Sequence, residues 1–326
     1  MTEDRKFVIS PGPHLHAAVS TASIMWWVNG SLAPMALWGV FVFGLRALAV
    51  IAGALVGAVG AEWAVARLAR KRSPIRDGSA VCTGLLLALT VSPGVAWWMA
   101  LLGGVFAILL GKAIFGGLGF NLFNPALIGR AFMMASFPVA MTSSWITPRP
   151  WFSAPLDAAT TATPLAALRE HGLAAAVKLV TSPAGLWGGL ALGFRPGSIG
   201  EVSMVLIVLG AAALLMRGII TLWIPLSVLA GVALSTAFTG APGLHLMSGG
   251  LWLGAFYMAT DYVTSPTVRN GQIAFGLTIG ILTGIIRVYG GYPEGICYAI
   301  LIANAMSPAF NLWFRPKRTG LAGSPS

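Results

Sequence analysis

An all-α integral membrane protein is the fold class this sequence predicts: about ten transmembrane helices, arranged as two inverted five-helix repeats with short broken helices. Three observations predict it. Of 326 residues, 57% are hydrophobic and 9% are charged, at a mean hydropathy of +0.83; a soluble globular protein is about 25% charged. The apolar residues gather in ten runs. Motifs in the first five runs are echoed in the last five. Disorder, a collagen-like chain and a disulfide scaffold are excluded by the same composition.

The first five runs are about 17–35, 36–66, 79–91, 95–111 and 124–141, and the second five about 201–216, 219–238, 248–260, 272–289 and 293–312. The chain thus divides into a membrane half over 1–141, a connection over 142–200 rich in Pro, Thr and Ser, and a second membrane half over 201–326. The run near Ala17 follows a polar, proline-containing stretch and shows no small-residue cleavage site, so no cleavable signal peptide is expected.

Cations set the expected orientation. With the N-terminus cytoplasmic, the inner loops hold 13 Lys and Arg, including the group from Arg67 to Arg76, and the outer loops hold five, among them Arg195 and Arg287. This places 142–200 on the outer face of the membrane. The net charge of +11 then reads as topological anchoring at a lipid surface; no nucleic acid is expected.

The repeat is carried by Lys112-Ala113-Ile114-Phe115-Gly116-Gly117 after the fourth run and Arg287-Val288-Tyr289-Gly290-Gly291 after the ninth. Asn124-Pro125-Ala126 is echoed by Asn304-Ala305-Met306-Ser307-Pro308. Each half has an odd number of spans, so equivalent positions face opposite sides. The third and eighth runs are about 13 residues long and open on Gly78-Ser79 and Ser248-Gly249-Gly250. Thirteen helical residues cover about 20 Å, against a hydrocarbon core of about 30 Å. Such runs are expected to be half-helices lining an interior site.

Carboxylates within or beside apolar runs are few: Glu62, Asp77, Glu201, Asp261 and Glu294. Asp77 is placed to cap the third run. Asp261 and Glu294 are candidates for a cation path, with a structural role as the competing reading. Arg130 requires an interior partner, a carboxylate or a phosphate. Cys82 and Cys297 read as small buried hydrophobes and are too few for a four-thiolate site. His14 and His16 lack a nearby third ligand, so no metal site is expected.

Several motifs resemble those of a known family, the D-type membrane subunits (RnfD) of the Rnf ion-translocating electron-transport complex. They are Ser10-Pro11-Gly12-Pro13-His14, the stretch Asp77 to Ala88, Gly116-Gly117-Leu118-Gly119-Phe120-Asn121 with Asn124-Pro125-Ala126, Ser248-Gly249-Gly250 with Gly254-Ala255-Phe256, and Tyr289-Gly290-Gly291-Tyr292-Pro293-Glu294-Gly295. The homologous B-type subunit (NqrB) of the Na+-translocating NADH:quinone reductase is more distantly similar. The resemblance runs in order along nearly the whole chain.

It implies FMN joined covalently through a phosphoester to threonine, at a motif reading roughly Asp-Gly-x-Ser-x-Ala-Thr. On this chain Asp157 matches the Asp, Ala162 the Ala and Thr163 the acceptor, while Ala158 replaces Gly and Thr160 replaces Ser. A flavin transferase would attach the group, so Thr163 is a modification site, and no residue is assigned as catalytic. The resemblance further implies other Rnf subunits as partners, one of them carrying a second covalent FMN on the periplasmic face. NADH and ferredoxin are the terminal couples and react on other subunits, since no dinucleotide fingerprint follows a strand here. Electron transfer would be coupled to movement of Na+ or H+. A non-covalent riboflavin is allowed by the quinone-reductase relative, and no motif marks its pocket. Two other readings stand beside this one: a channel or transporter for a small solute with a urea-channel-like fold, which broken helices fit equally well, and a passive scaffold within a membrane assembly.

Overall fold

The computed structural model describes residues 20–70, 74–148, 161–180, 185–193, 195–201, 203–291 and 294–315. His14, His16, Asp157 and Thr160 lie outside the described residues. Within them every regular element is a helix, and the chain is a multi-pass helical membrane protein as its composition predicts.

The first helix, α1, spans Thr21–Phe43 and starts at Ser20, whose Oγ accepts the Ser23 N–H at 3.2 Å. The sequence suggests a break near 35 and 36; the structure puts it at Gly44, and Pro34 lies inside α1. Gly44 has φ +71°, a backbone open to glycine, and it lets α2, Leu45–Leu68, start at once. Both helices are then long enough to cross a bilayer.

The third run is a half-helix. Helix α3, Ser79–Leu89, has 11 residues, about 16 Å of length. Asp77 caps it as expected, accepting the Ser79 N–H at 2.8 Å. Helix α4, Trp97–Ile108, runs on into a π-helical turn at Leu109–Ala113. Helix α5, Pro125–Ser136, starts at Asn124, whose Oδ1 accepts the Ala126 N–H at 3.0 Å, and α6, Pro138–Ser143, follows. The connection is less loop-like than its composition suggests, for it contains α7 (Pro164–His171), α8 (Leu173–Lys178) and α9 (Gly185–Leu192).

In the second half, α10 spans Met204–Met216 and α11 Trp223–Thr236. The eighth run is broken: α12 (Pro242–Met247) lies outside the spanning helices, and α13 (Leu251–Leu253), entered through Ser248-Gly249-Gly250, continues as a π-helical turn at Gly254–Met258. Helix α14 is Arg269–Tyr289 and α15 is Ile296–Trp313. Among the described residues four helices, α1, α2, α14 and α15, are long and apolar enough to cross a membrane; α3, α4, α10 and α11 are apolar but shorter.

The order of packing occurs twice. Helix α2 packs chiefly on α4 and α11 on α14, while α4 also packs on α5 and α14 on α15. Small residues permit both close crossings. A Cβ on Gly57 would lie 2.1 Å from the Leu101 carbonyl oxygen, and one on Gly280 2.3 Å from that of Val228. One apolar core joins the halves, with Leu32, Leu87, Leu127, Phe275 and Ile300 all fully or almost fully buried. A smaller core, including Leu165, Ala176, Leu190 and Leu244, seats α7 to α9 on α12. Large side chains such as Leu37, Leu45, Leu68 and Phe238 are exposed on the outside of the bundle, as a surface bathed in lipid or covered by other subunits requires.

Candidate functional site

Half-helix α3 ends inside the protein, where its last carbonyls have no helical partner. Three neighbours bind them. Gly200 N–H donates to the Leu89 carbonyl at 2.7 Å, Ile199 N–H donates to Val91 at 3.0 Å, and the Arg130 Nη1 donates to Thr90 between them. The guanidinium also places positive charge at a helix C-terminus, where it is favoured. Its Nη2 pairs with Glu294, which is 7% exposed. The interior partner expected for Arg130 is therefore a carboxylate.

Glu294 and Asp261 fall in separate places. Glu294 belongs to a buried charge cluster with Arg130, Arg287, and the pair Arg195–Glu201, whose Nη2 and Oε1 lie 3.3 Å apart. Asp261 accepts from the Thr264 hydroxyl at 3.2 Å and lines a cavity of about 80 Å³ with Ser79, Lys112, Asn121 and Asn124. That volume exceeds what one water needs.

The same cavity meets a second buried pair. Lys112 Nζ donates to Glu62 at 2.5 Å and to the Ser79 hydroxyl at 2.6 Å, and that hydroxyl donates to Asp77 at 2.5 Å. Lys112 is 4% exposed. The sequence reads it as a solvated topological anchor, together with Arg195 and Arg287. All three are instead buried, because each has a partner that makes burial tolerable. The isolated Glu62 in an apolar helix is the sequence signal for such a partner.

Thr163 lies in the connection between the halves. It is the N-cap of α7, and its Oγ1 accepts the Ala166 N–H at 3.2 Å. Its side chain is buried at 5% exposure, while neighbouring Ala162 is exposed. Thr161 N–H donates to the Trp145 carbonyl at 2.9 Å and ties the segment to the end of the first half. Beside α7 opens a cavity of about 400 Å³, walled by Leu165 and Leu168 on one side and by His245 and Arg287 on the other.

Arg287 is held rigidly. Its Nε donates to the Glu294 carbonyl and its Nη2 to that of Ser248, each at 3.0 Å, and its Nη1 donates to that of His245. His245 is 6% exposed, and its Nδ1 has no partner among the described residues. Burial and the adjacent Arg287 push the His245 imidazolium down to about 4, so the ring is neutral near pH 7. Nothing in the sequence singles out His245, since a lone histidine before a glycine pair carries no spacing signal. Among the described residues, no group of three or more His, Cys, Asp or Glu gathers to hold a metal ion.

The chain matches the model of the NQR2, RnfD, RnfE family over residues 8–320. It is 43% identical over 322 residues to the D subunit of the proton-translocating ferredoxin:NAD(+) oxidoreductase complex of Clostridium ljungdahlii, covering 96% of each chain. It is 41% identical over 317 residues to the D subunit of the Na(+)-translocating ferredoxin:NAD(+) oxidoreductase complex of Acetobacterium woodii, covering 96% of this chain and 95% of that one. With the D subunit of the ion-translocating oxidoreductase complex of Halorhodospira halophila it shares 37% identity over 337 residues, 95% of this chain and 94% of the relative.

Proposed function

The chain belongs to the NQR2, RnfD, RnfE family, and on that premise we propose that it is the D subunit of an ion-translocating ferredoxin:NAD+ oxidoreductase complex, with FMN attached through its phosphoryl group to Thr163. The observation that carries this reading is the place of Thr163: it caps α7, the helix whose Leu165 and Leu168 line a cavity of about 400 Å³.

The residues present fit the group. A phosphoryl on the Thr163 oxygen stands at the N-terminus of α7, whose first amides and dipole favour an anion. The Oγ1 remains an acceptor for the Ala166 N–H after esterification. Leu165 and Leu168 offer an apolar wall one turn away. FMN would supply reversible electron transfer there, while the chain sets its environment and excludes water. Asp157, Thr160 and Ala162 complete the attachment motif by sequence.

In this reading the Thr163 end faces the periplasm of the inner membrane and the N-terminus faces the cytoplasm. The partners are the other subunits of the complex, including one with a second covalent FMN on the same face, and a flavin transferase for maturation. Asp261 and Glu294 are proposed for the cation path. The coupling ion is Na+ or H+: relatives of nearly equal similarity are named for different ions, so overall likeness does not select between them. A non-covalent riboflavin remains part of the proposal without an assigned pocket.

The test is intact-protein mass and in-gel flavin fluorescence of the chain expressed with its transferase. The wild type should carry one FMN and fluoresce, and Thr163→Ala should be dark. A wild-type band without added mass overturns the reading.

A further inference from the structure

We propose that the end of the bundle where α1, α11 and α14 begin is a binding surface for an anionic phospholipid, whose phosphate is held by Arg217 and Arg269, each stacked on a tryptophan. The inference is independent of the flavin and of the coupling ion.

Helices α11 and α14 run parallel: a Cβ on Gly276 would meet the Ile224 carbonyl, and one on Gly284, farther along α14, would meet the Ser235 hydroxyl. Both therefore start at the same end. Arg269 opens α14, and its guanidinium carbon lies 3.6 Å from the centre of the Trp223 ring, at the first residue of α11. Arg217 closes α10 and lies 4.1 Å from the centre of the Trp27 ring, near the start of α1. The two stacks bracket the turn between α10 and α11. That turn is fastened on both sides, since the Thr221 hydroxyl donates to Gln272 Oε1 at 3.2 Å and the Tyr262 hydroxyl donates to the Ile219 carbonyl. A third stack, Arg67 over Trp63 at 5.5 Å, stands near the end of α2. The Trp26 indole N–H donates to the Arg76 carbonyl, which ties the loop after α2 to the start of α1.

Arg67, Arg217 and Arg269 are exposed, and none has a carboxylate partner among the described residues. A guanidinium lying on a ring face keeps its in-plane N–H groups open, and these match a phosphate in bidentate fashion. The carboxylates at this end are engaged, Asp77 with Ser79 and Glu62 with Lys112. Positive charge is thus in excess, and the parallel dipoles of α11 and α14 add to it. The excess selects an anion.

The neighbouring side chains make that anion amphipathic. Met216 beside Arg217 and Leu68 beside Arg67 are 83% and 85% exposed, on the apolar flank where acyl chains run. Tryptophan and arginine at the ends of apolar helices mark the headgroup level. A phospholipid answers both the charge and the apolar flank, whereas an acidic peptide answers the charge alone.

The experiment uses the full chain purified in mild detergent with the subunits that accompany it. It is titrated with phosphatidylglycerol or phosphatidylcholine, and bound lipid is counted by native mass spectrometry. Arg217→Gln combined with Arg269→Gln should weaken phosphatidylglycerol binding about tenfold or more and leave phosphatidylcholine unchanged. Arg217→Lys combined with Arg269→Lys keeps the charge without the flat stack, so it should bind better than the Gln pair and worse than wild type. Arg169→Gln removes an exposed cation of α7, away from the stacks, and should change nothing.

Equal phosphatidylglycerol affinity in the wild type and the Gln pair overturns the proposal. An equal loss in Arg169→Gln overturns it as well, since bulk charge would then be at work. A Lys pair as tight as the wild type removes the stacks from the account. Inorganic phosphate that displaces the lipid at matched concentration would mark a free-phosphate seat and overturn the lipid assignment. Loss of accompanying subunits from the Gln pair, with lipid binding intact, would mark a protein-covered surface and overturn it too.

Discussion

Arg130 on α5 and Glu294 at the entry to α15 form a buried ion pair that fastens the first half of the protein to the second. The same guanidinium binds the Thr90 carbonyl at the end of half-helix α3. One side chain therefore supplies charge to a helix terminus that water cannot reach and neutralises a carboxylate that lipid would not tolerate.

Breaking this pair from one side should be expensive. Glu294→Gln and Arg130→Met each leave a buried group uncompensated, a loss of about 3–5 kcal/mol for such pairs. Thermal unfolding in detergent should show a large drop for each single variant. The double variant should recover part of it, and only part, since the Thr90 carbonyl stays unbound. Additive losses in the double variant would show that the two residues act independently.

The Lys112–Glu62 pair makes an asymmetric prediction. Lys112→Met strands the Glu62 carboxylate and releases the Ser79 hydroxyl at the start of α3. Glu62→Gln keeps an acceptor for the ammonium. Lys112→Met should therefore destabilise the bundle more, and hydrogen exchange at the first turn of α3 should rise in that variant alone. Equal exchange in both would refute the link to α3.

Thr163 has a capping role separable from modification. Thr163→Ala should cost α7 about 1 kcal/mol of cap stability and raise exchange at the Ala166 amide. Thr163→Asp keeps a capping oxygen but offers no hydroxyl to esterify, so it should hold α7 and carry no flavin. Fluorescence in the Asp variant would place the attachment elsewhere.

His245 gives a pH signature. Its folded-state value, about 4, lies below the ordinary 6.5, so between those limits the unfolded chain binds more protons than the folded one. Stability from this group is then complete above about pH 6.5 and is lost as pH falls toward 4. Arg287 and Arg169 are the charged residues that share the cavity wall with it. Apparent Tm should rise with pH across this window, and His245→Asn should flatten that rise.

Close helix crossings give a final test. Gly57→Leu and Gly280→Leu put side chains against the backbone carbonyls of Leu101 and Val228, where a single Cβ already has no room. Each should separate its helix pair and lower the yield of folded protein, whereas Gly60→Leu, with open space at its Cβ, should not.

Much of the fold was legible in the chain. The scarcity of charge marked a lipid environment, the ten apolar runs marked the helices, and the paired Gly-Ser and Ser-Gly-Gly openings marked where two of them are too short to span. Arg130 was legible as a group that needed a partner, and Asp77 as a cap. These follow from local pattern, since helix length, capping and the cost of burying charge act over a few residues. Which carboxylate answers Arg130 was not legible, because Glu294 lies far along the chain and meets it only through the docking of α5 on α15. Lys112, Arg195 and Arg287 looked like anchors for the same reason: a cation at the end of an apolar run is solvated or buried according to what the other half of the molecule places beside it. The cavity between α7 and α12, with His245 and Arg287 on its wall, was decided by tertiary packing alone, for such a space belongs to the surfaces around it and to no segment by itself.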